Sequence, residues 1–325
     1  MTSLTSAIFE VQTVDMPDIL SRKFDLCIFA SGYEERCIHC PSLLSPDVVK
    51  RAVVFSFNEK VEHNQRRRND EFFDEQWPGD RVHLSTDDDM PIYEYMNEVN
   101  SGFEGEVRIL MDYSSMSRLW YAALLNWVRT YSGPAHLKVY FVYACGTYRK
   151  SIAPLVIKDI LAIPGCEGNP RPTHETAAVF GLGYEGESTL AVFDKLEAKY
   201  NYAVIANPGA SPDAPKIARD KNSDLLEERP TVLEYSLLDL ESTYIKLGEL
   251  ISVHRMKDNI VLVPMGPKPH ILACILLAMR FQEITLLRVS GHRFENGEQS
   301  EPVKATGALV VTEVCPRSYV AQMDD

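Results

Sequence analysis

The feature of this sequence that most constrains its fold is a series of apolar and helical segments that occurs twice. In the first half, apolar runs lie at 25–30, 52–57, 107–111 and 138–143. Helix-like segments separate these runs, at 35–46, 63–76, 91–99 and 115–131. The same order returns about 150 residues further on, with helix-like segments near 187–199, 214–227, 237–252 and 268–281. Short runs that are apolar throughout are typical of a parallel sheet covered by helices on both faces. The sequence therefore predicts an α/β protein with two doubly wound, mostly parallel sheets.

Local matches between the halves support an internal duplication. FASGYE at 29–34 corresponds to FGLGYE at 180–185, and ILMD at 109–112 corresponds to VLVP at 261–264. The segment 154–164 also resembles 306–316, which predicts an extra strand closing each half. The alternative is two unrelated α/β domains whose strand ends look alike. Because the blocks recur in one order, we interpret them as two copies of one lobe.

The boundary between the copies falls in a segment rich in proline and glycine, PGCEGNPRPTHE. We predict an N-terminal lobe over 1–164, a linker over 165–175 and a C-terminal lobe over 176–325. The polar segment 292–305 is predicted to be a loop or a hairpin arm.

Composition narrows the class of protein. A net charge of -13 argues against non-specific binding to nucleic acid. No apolar run is long enough to span a bilayer, and the N-terminus lacks the basic region of a signal peptide. The seven cysteines are scattered, and some lie within apolar runs, which favours reduced thiols. We expect a cytoplasmic protein without membrane contact.

A ligand site is expected at the carboxyl ends of the strands, where strand order reverses in open parallel sheets. Glycines there allow close backbone approach, tyrosines can stack on a base, and hydroxyl and cationic groups suit phosphate. The candidate ligand-binding residues are Ser31, Gly32, Tyr33, Glu34, Arg36, Asn58, Asp112, Ser114, Ser115, Ser117, Arg118, Gly183, Tyr184, Glu185, Asn207, Gly266, Lys268 and His270.

Each of these loops also has a plainer interpretation as a turn followed by a helix cap. The recurrence of Gly-Tyr-Glu in both halves favours a pocket, since a cap does not need the same tyrosine twice. If the protein is an enzyme, Glu34 and Asp112 are the candidate general acid or base. Neither loop matches a common dinucleotide or ATP motif, and no cofactor or metal is expected.

Three other charged or cysteine-containing motifs compete with this site. Cys37 and Cys40 lie three residues apart beside His39, and they are interpreted as buried core, with a redox or metal role as the alternatives. The run 66–68 of three arginines fans around a helix, so we expect a solvated face. The aspartates at 87–89 are interpreted as a helix cap rather than a magnesium site.

The strand, turn and helix over 107–131 resemble the CRISPR-associated Rossmann-fold ligand sensors. Ser114–Arg118 and Gly266–Pro269 stand where that family has a turn of small residues followed by Lys or Arg. The resemblance implies two Rossmann-like lobes about a pseudo-twofold axis, with a nucleotide ligand across the cleft. It also implies that binding changes lobe closure or assembly with a partner. Gly-Tyr-Glu is not part of that family's pattern.

Three functions remain open from the sequence. The first is a sensor or adaptor that binds a nucleotide-like small molecule and signals to a partner effector protein, for which the resemblance implies a role in anti-phage defence. The second is an enzyme acting on a nucleotide or a phosphorylated substrate in one lobe. The third is a structural subunit of a larger complex.

Overall fold

A computed structural model describes residues 9–147, 155–293 and 302–317 of the chain. These residues form thirteen strands and nine α-helices, arranged as two mixed and mostly parallel sheets. The predicted α/β class with two Rossmann-like lobes is thereby confirmed. No helix in the described ranges is long and apolar enough to cross a bilayer. Part of the predicted arm at 292–305 lies outside the described residues.

The first lobe consists of a seven-stranded sheet and four helices. Its strands are β1 (Phe9–Thr13), β2 (Leu26–Ser31), β3 (Ala52–Phe57), β4 (Asp80–Leu84), β5 (Glu106–Asp112), β6 (His136–Gly146) and β13 (Ala305–Pro316). Its helices are α1 (Met16–Leu20), α2 (Asn64–Gln76), α3 (Met90–Val99) and α4 (Arg118–Thr130).

The second lobe consists of a six-stranded sheet and five helices. Its strands are β7 (Leu155–Ala162), β8 (Thr176–Gly181), β9 (Tyr200–Ala206), β10 (Thr231–Tyr235), β11 (Asn259–Pro264) and β12 (Ile284–Arg293). Its helices are α5 (Gly186–Leu196), α6 (Ala214–Lys221), α7 (Ser223–Glu227), α8 (Leu240–His254) and α9 (Lys268–Arg280).

Both sheets contain five parallel strands in the same order. In the first sheet the order is β6-β5-β2-β3-β4, and in the second it is β12-β11-β8-β9-β10. Strand order therefore reverses between β2 and β5 in one lobe, and between β8 and β11 in the other. These are the two points at which an open parallel sheet offers a ligand crevice.

The lobes exchange one strand each. β7 comes from the first half of the chain, yet it pairs antiparallel with β12 of the second sheet. β13 comes from the second half, pairs antiparallel with β6 of the first sheet, and in turn carries β1. The expectation that each of these segments closes its own half is wrong, because both hydrogen-bond across to the other copy.

The two lobes also share an apolar core. α4 and α9 pack against each other, and their side chains belong to one continuous buried cluster. Trp120 and Leu124 of α4 and Leu272 and Ile275 of α9 are each 0% exposed. Helices that are apolar on nearly every side are typical of a protein interior. The lobes therefore form one packed unit.

Three local expectations differ from the structure. The predicted helix over 35–46 is a series of short 3-10 turns, because Pro41 and Pro46 each begin a new turn and lack the amide needed to continue a helix. The predicted helix over 214–227 is divided at Asn222 into α6 and α7. The strands β4 and β10 were not predicted, since these edge strands carry few apolar residues.

The strand exchange leads to a test with a chain cut in the linker, between Gly168 and Asn169. Each fragment alone lacks the strand that its partner supplies, so we expect neither to unfold cooperatively. Co-expressed fragments should copurify and restore the transition of the intact chain. The readouts are far-UV circular dichroism and thermal unfolding, and a fragment that alone unfolds near the intact chain's temperature would contradict the exchange.

Candidate functional site

The predicted loops of the first lobe meet at the carboxyl end of its sheet. The loop after β2 carries Glu34, and the loop after β5 carries Ser115, whose hydroxyl donates to Glu34 Oε2 at 3.2 Å. These are the two loops that flank the reversal of strand order. The sequence therefore placed the two halves of this polar cluster correctly at one sheet edge.

A buried ion pair lies at the centre of this edge. Arg36 Nε donates to Glu34 Oε2 at 2.9 Å, and the guanidinium also donates to Tyr143 Oη at 2.9 Å and to the carbonyl of Ala144. Arg36 is 7% exposed, and burial acts to lower its pKa, but the charge of Glu34 and the hydrogen bonds that Arg36 donates raise the pKa overall. Arg36 was predicted to bind ligand, and in this structure its donors are directed at protein acceptors.

Asp112, another predicted site residue, is the last residue of β5. Its Oδ1 accepts hydrogen bonds from the backbone amide of Ser114 at 3.0 Å and from the Ser114 hydroxyl. Its Oδ2 is buried and has no hydrogen-bond partner among the described residues. Burial raises the pKa of Asp112 to about 6, against the opposing effect of the Ser114 bonds. A carboxyl group that titrates this close to neutrality is suited to proton transfer.

The second lobe contributes Lys268, the first residue of α9. Its ammonium donates to the backbone carbonyls of Tyr113, Ser114 and Met116, at 3.3, 2.6 and 2.9 Å. An ammonium group has three donors, so these carbonyls account for all of them. Burial lowers the pKa of Lys268 to about 7. Lys268 thus binds the turn after β5 in the other lobe.

Arg118 stands at the equivalent place in the first lobe, as the first residue of α4. Its Nη1 is buried without a hydrogen-bond partner in the described part of the chain, and so is the hydroxyl of Tyr121 one turn later. Burial lowers the pKa of Arg118, while the charge of Glu185 from the second lobe acts to raise it. Two unpaired buried donors at the boundary of the lobes are a costly arrangement unless a ligand or water completes them.

Side chains from the helices after β3 and β9 hold the Gly-Tyr-Glu loops in place. The amide of Asn69 donates to the carbonyls of Gly32 and Glu34, at 2.8 and 2.9 Å. In the second lobe, Asn222 donates to the carbonyl of Gly183 at 2.8 Å. Sequence reasoning missed both asparagines, although their spacing from the two glycines is nearly the same and could have identified them.

A hydrogen-bond network around Asp70 lies next to the loop after β2. Asp70 accepts from Ser31 at 2.6 Å, from Arg81 at 2.9 Å and from Arg66 at 2.9 Å. Arg66 is 2% exposed and also donates to the carbonyl of Phe57. The expectation of a solvated arginine face is therefore wrong for Arg66. Ser31, a predicted ligand-binding residue, donates to Asp70 in this network and is not part of the polar cluster around Glu34.

The corresponding loops of the second lobe pack directly on each other. A Cβ at Gly183 would lie 2.2 Å from the carbonyl oxygen of Met265, and one at Gly266 would lie 3.1 Å from the carbonyl of Leu182. Glycine therefore allows the backbones of these two loops to approach closely, most tightly at Gly183. The close contact is thus between two loops of the protein. Tyr184 packs against the apolar cluster beside these loops.

Other candidates lie outside the cluster. Asn58 and Asn207 are exposed; Asn58 donates to Ser85, directly after β4, and Asn207 donates to Glu234 of β10. Ser117 donates to the carbonyl of Thr86. His270 is 2% exposed with its Nε2 3.1 Å from the carbonyl of Ser236, and burial lowers its pKa to about 4. His270 is therefore neutral near pH 7.

Tyr33 has a cationic neighbour. The Nζ atom of Lys60 lies 4.5 Å from the centre of the Tyr33 ring, and the ring of His63 lies 6.1 Å away. A cation over an aromatic face is an attractive arrangement. A base that stacks on this face of Tyr33 would have to displace Lys60.

The cysteine motif belongs to the core. Cys37 and Cys40 are 2% and 0% exposed and lie in an apolar cluster, as we predicted. Burial raises the pKa of both thiols, which opposes thiolate chemistry. Within the described residues, no group of histidine, cysteine and acidic side chains is arranged to hold a metal ion.

A cavity of about 520 Å³ lies elsewhere, at the amino end of the first sheet. It is lined by aromatic and amide side chains from the ends of α3 and α4, including Tyr93, Asn97, Phe103 and Trp127. None of the predicted site residues borders it. No protein-family model matches the chain, and a search of curated proteins found no match.

The buried carboxyl group gives a pH dependence. The folded pKa of Asp112 lies above its ordinary value, so the folded state binds the extra proton and wild-type stability falls as pH rises from about 4 to 6. Asp112→Asn cannot titrate, and we expect its stability relative to wild type to grow by about 2–3 kcal/mol over that window. Urea unfolding at each pH measures this difference.

Asp194→Asn is the matched control, because Asp194 lies exposed on α5. A difference between wild type and Asp112→Asn that stays flat from pH 4 to 6 would show that Asp112 titrates normally.

The contact between Lys268 and the turn after β5 gives a second test. Lys268→Met keeps the length of the side chain and leaves three carbonyls without their donor, so we expect a loss of about 2–4 kcal/mol in the free energy of unfolding. Lys216→Met, at an exposed position of α6, should change stability by less than about 0.5 kcal/mol. Equal effects of the two substitutions would contradict the claim that Lys268 stabilises the turn after β5.

Proposed function

We propose that the protein binds an anionic, nucleotide-like small molecule between its lobes and passes on that occupancy to a partner protein. The observation that carries the proposal is a pair of buried donors that have no partner in the described part of the chain, Arg118 Nη1 and Tyr121 Oη. They stand three residues apart at the start of α4, where the helix dipole also favours negative charge. A phosphate oxygen would satisfy both donors.

The surroundings of Arg118 favour an anion held by more than one cation. Arg288 of β12 lies near enough to oppose the charge of Arg118, and it pairs with Asp87 from the loop before α3. For Arg118, the unfavourable charge of Arg288 outweighs the favourable charge of Glu185, even though Asp87 pairs with Arg288. A ligand phosphate would supply further negative charge, whereas Lys268 and Arg36 would keep their protein acceptors.

The strand exchange bears on how binding is communicated. Opening the cleft would separate β7 from β12 or β13 from β6, which breaks sheet hydrogen bonds. We therefore favour a ligand that changes assembly with a partner over one that closes the lobes. Large apolar side chains exposed along α8 and its flanks offer such a partner a surface, at Leu238, Ile245, Val253 and Met256.

The second candidate function is an enzyme, and Asp112 is the observation that favours it. Its unpartnered Oδ2 and its pKa near 6 suit a general acid or base. Asp112 is only 2% exposed and Ser114 is 0% exposed, so a substrate would reach Asp112 only if the loop after β5 moved. Binding without turnover supports the sensor, and turnover that Asp112→Asn abolishes supports the enzyme.

The test begins with protein purified from its own cells. Ligand released by denaturation is identified by mass spectrometry, and its retention is compared among wild type, Arg118→Ala and Arg118→Lys. We expect Arg118→Ala to lose the ligand and Arg118→Lys to keep part of it, since a lysine retains the charge but not the fork of donors. Arg67→Ala, on the exposed face of α2, should retain it fully.

Thermal shifts with a panel of linear and cyclic nucleotides provide a second readout. A ligand at about 100 times its Kd should stabilise the wild type by about 2.7 kcal/mol. The same ligand should have little effect on Arg118→Ala. Retention and thermal shifts unchanged by Arg118→Ala, or no nucleotide bound by the wild type in either assay, would overturn the proposal.

A further inference from the structure

A second cluster of ionisable groups lies at the amino end of the second sheet, away from the boundary of the lobes. Tyr202 is near the start of β9, His254 is the last residue of α8, and Asp258 directly precedes β11. Tyr202 Oη lies 2.6 Å from His254 Nε2, and His254 Nδ1 lies 2.7 Å from Asp258 Oδ2. His254 and Asp258 are 5% and 9% exposed, whereas Tyr202 is half-buried.

The partners determine where the protons lie. An ionised carboxylate only accepts hydrogen bonds, so Asp258 requires the proton of His254 on Nδ1. The lone pair on Nε2 then accepts the hydroxyl proton of Tyr202. The result is a hydroxyl group bonded to a base, with that base oriented by a buried carboxylate. This is the arrangement by which enzymes activate a nucleophile.

A helix cap alone does not account for the cluster. The backbone amides of Lys257 and Asp258 already donate to the carbonyl of His254, at 2.9 and 2.8 Å, and they complete the end of α8. The tyrosine hydroxyl is not needed for that purpose. Burial raises the pKa of Tyr202, and the charge of Asp258 adds to the effect. The hydroxyl is therefore protonated at neutral pH, and its reaction requires His254 as the base.

We propose that Tyr202 is the nucleophile of a separate acyl-transfer site, with His254 as its general base and Asp258 as the positioning residue. The substrate class is an uncharged carboxylic ester. The negative charge of Asp258 disfavours a phosphate at this place. The nearby ammonium of Lys199 is already paired with Glu175, at 3.3 Å.

The reaction runs in two balanced steps. Tyr202 Oη attacks the ester carbonyl carbon, the bond from that carbon to the leaving oxygen breaks, and the hydroxyl proton passes to His254 Nε2 and then to the leaving group. Water next attacks the acyl-tyrosine carbonyl with His254 as base. This releases the carboxylic acid and restores the tyrosine hydroxyl.

p-Nitrophenyl acetate is the probe, and Tyr200 is the internal control. Tyr200 lies on the same strand, is 36% exposed, and packs its ring 5.0 Å from that of His254. Peptide mass spectrometry measures acetylation of both tyrosines over time in the full-length protein. General-base catalysis contributes about 100-fold or more, so we expect Tyr202 to be acetylated at least about 100 times faster than Tyr200.

Variants distinguish a role of His254 and Asp258 in the reaction from a role in stabilising the fold. His254→Gln and Asp258→Asn should each slow acetylation of Tyr202 at least about tenfold, with the thermal transition recorded for each. Arg67→Ala, on the exposed face of α2, should leave the acetylation rate unchanged. Equal acetylation of Tyr200 and Tyr202 in the wild type overturns the proposal even if a variant fails to fold. Acetylation of Tyr202 that is unaffected in a folded His254→Gln protein overturns it as well.

Discussion

The exchange of β7 and β13 is the constraint on which the rest of the structure depends. Each sheet is completed by a strand from the other half of the chain, so neither half contains its whole sheet. β1 adds a further connection, because it pairs with β13 at the edge of the first sheet. Together with the shared core of α4 and α9, the exchange fixes how the two carboxyl edges face each other.

The boundary of the lobes derives its chemistry from that fixed arrangement. The first residue of each central helix is a cation, Lys268 in α9 and Arg118 in α4. Lys268 donates to three carbonyls of the other lobe, while Arg118 has a buried donor with no partner among the described residues. The two equivalent positions therefore differ in their contacts: Lys268 connects the lobes, whereas in the described part of the chain Arg118 does not make the corresponding contacts.

The sequence was sufficient for the features that depend on local pattern. Apolar runs and their recurrence predicted the parallel strands, and they placed Glu34 and Ser115 at one sheet edge. Contacts between distant segments have no local sequence pattern. The strand exchange and the contact between Lys268 and the turn after β5 were therefore not predictable. Asp70 was missed for a related reason, because a buried acid looks like any helix surface residue until its arginine partners are located.

The most direct measurement is a high-resolution crystal structure of the protein isolated from its own cells. We expect density for an anionic group within hydrogen-bond distance of Arg118 Nη1 and Tyr121 Oη, with β7 and β13 exchanged as described. Arg118 Nη1 paired with a protein carboxylate and no ligand density beside Tyr121 would contradict the account.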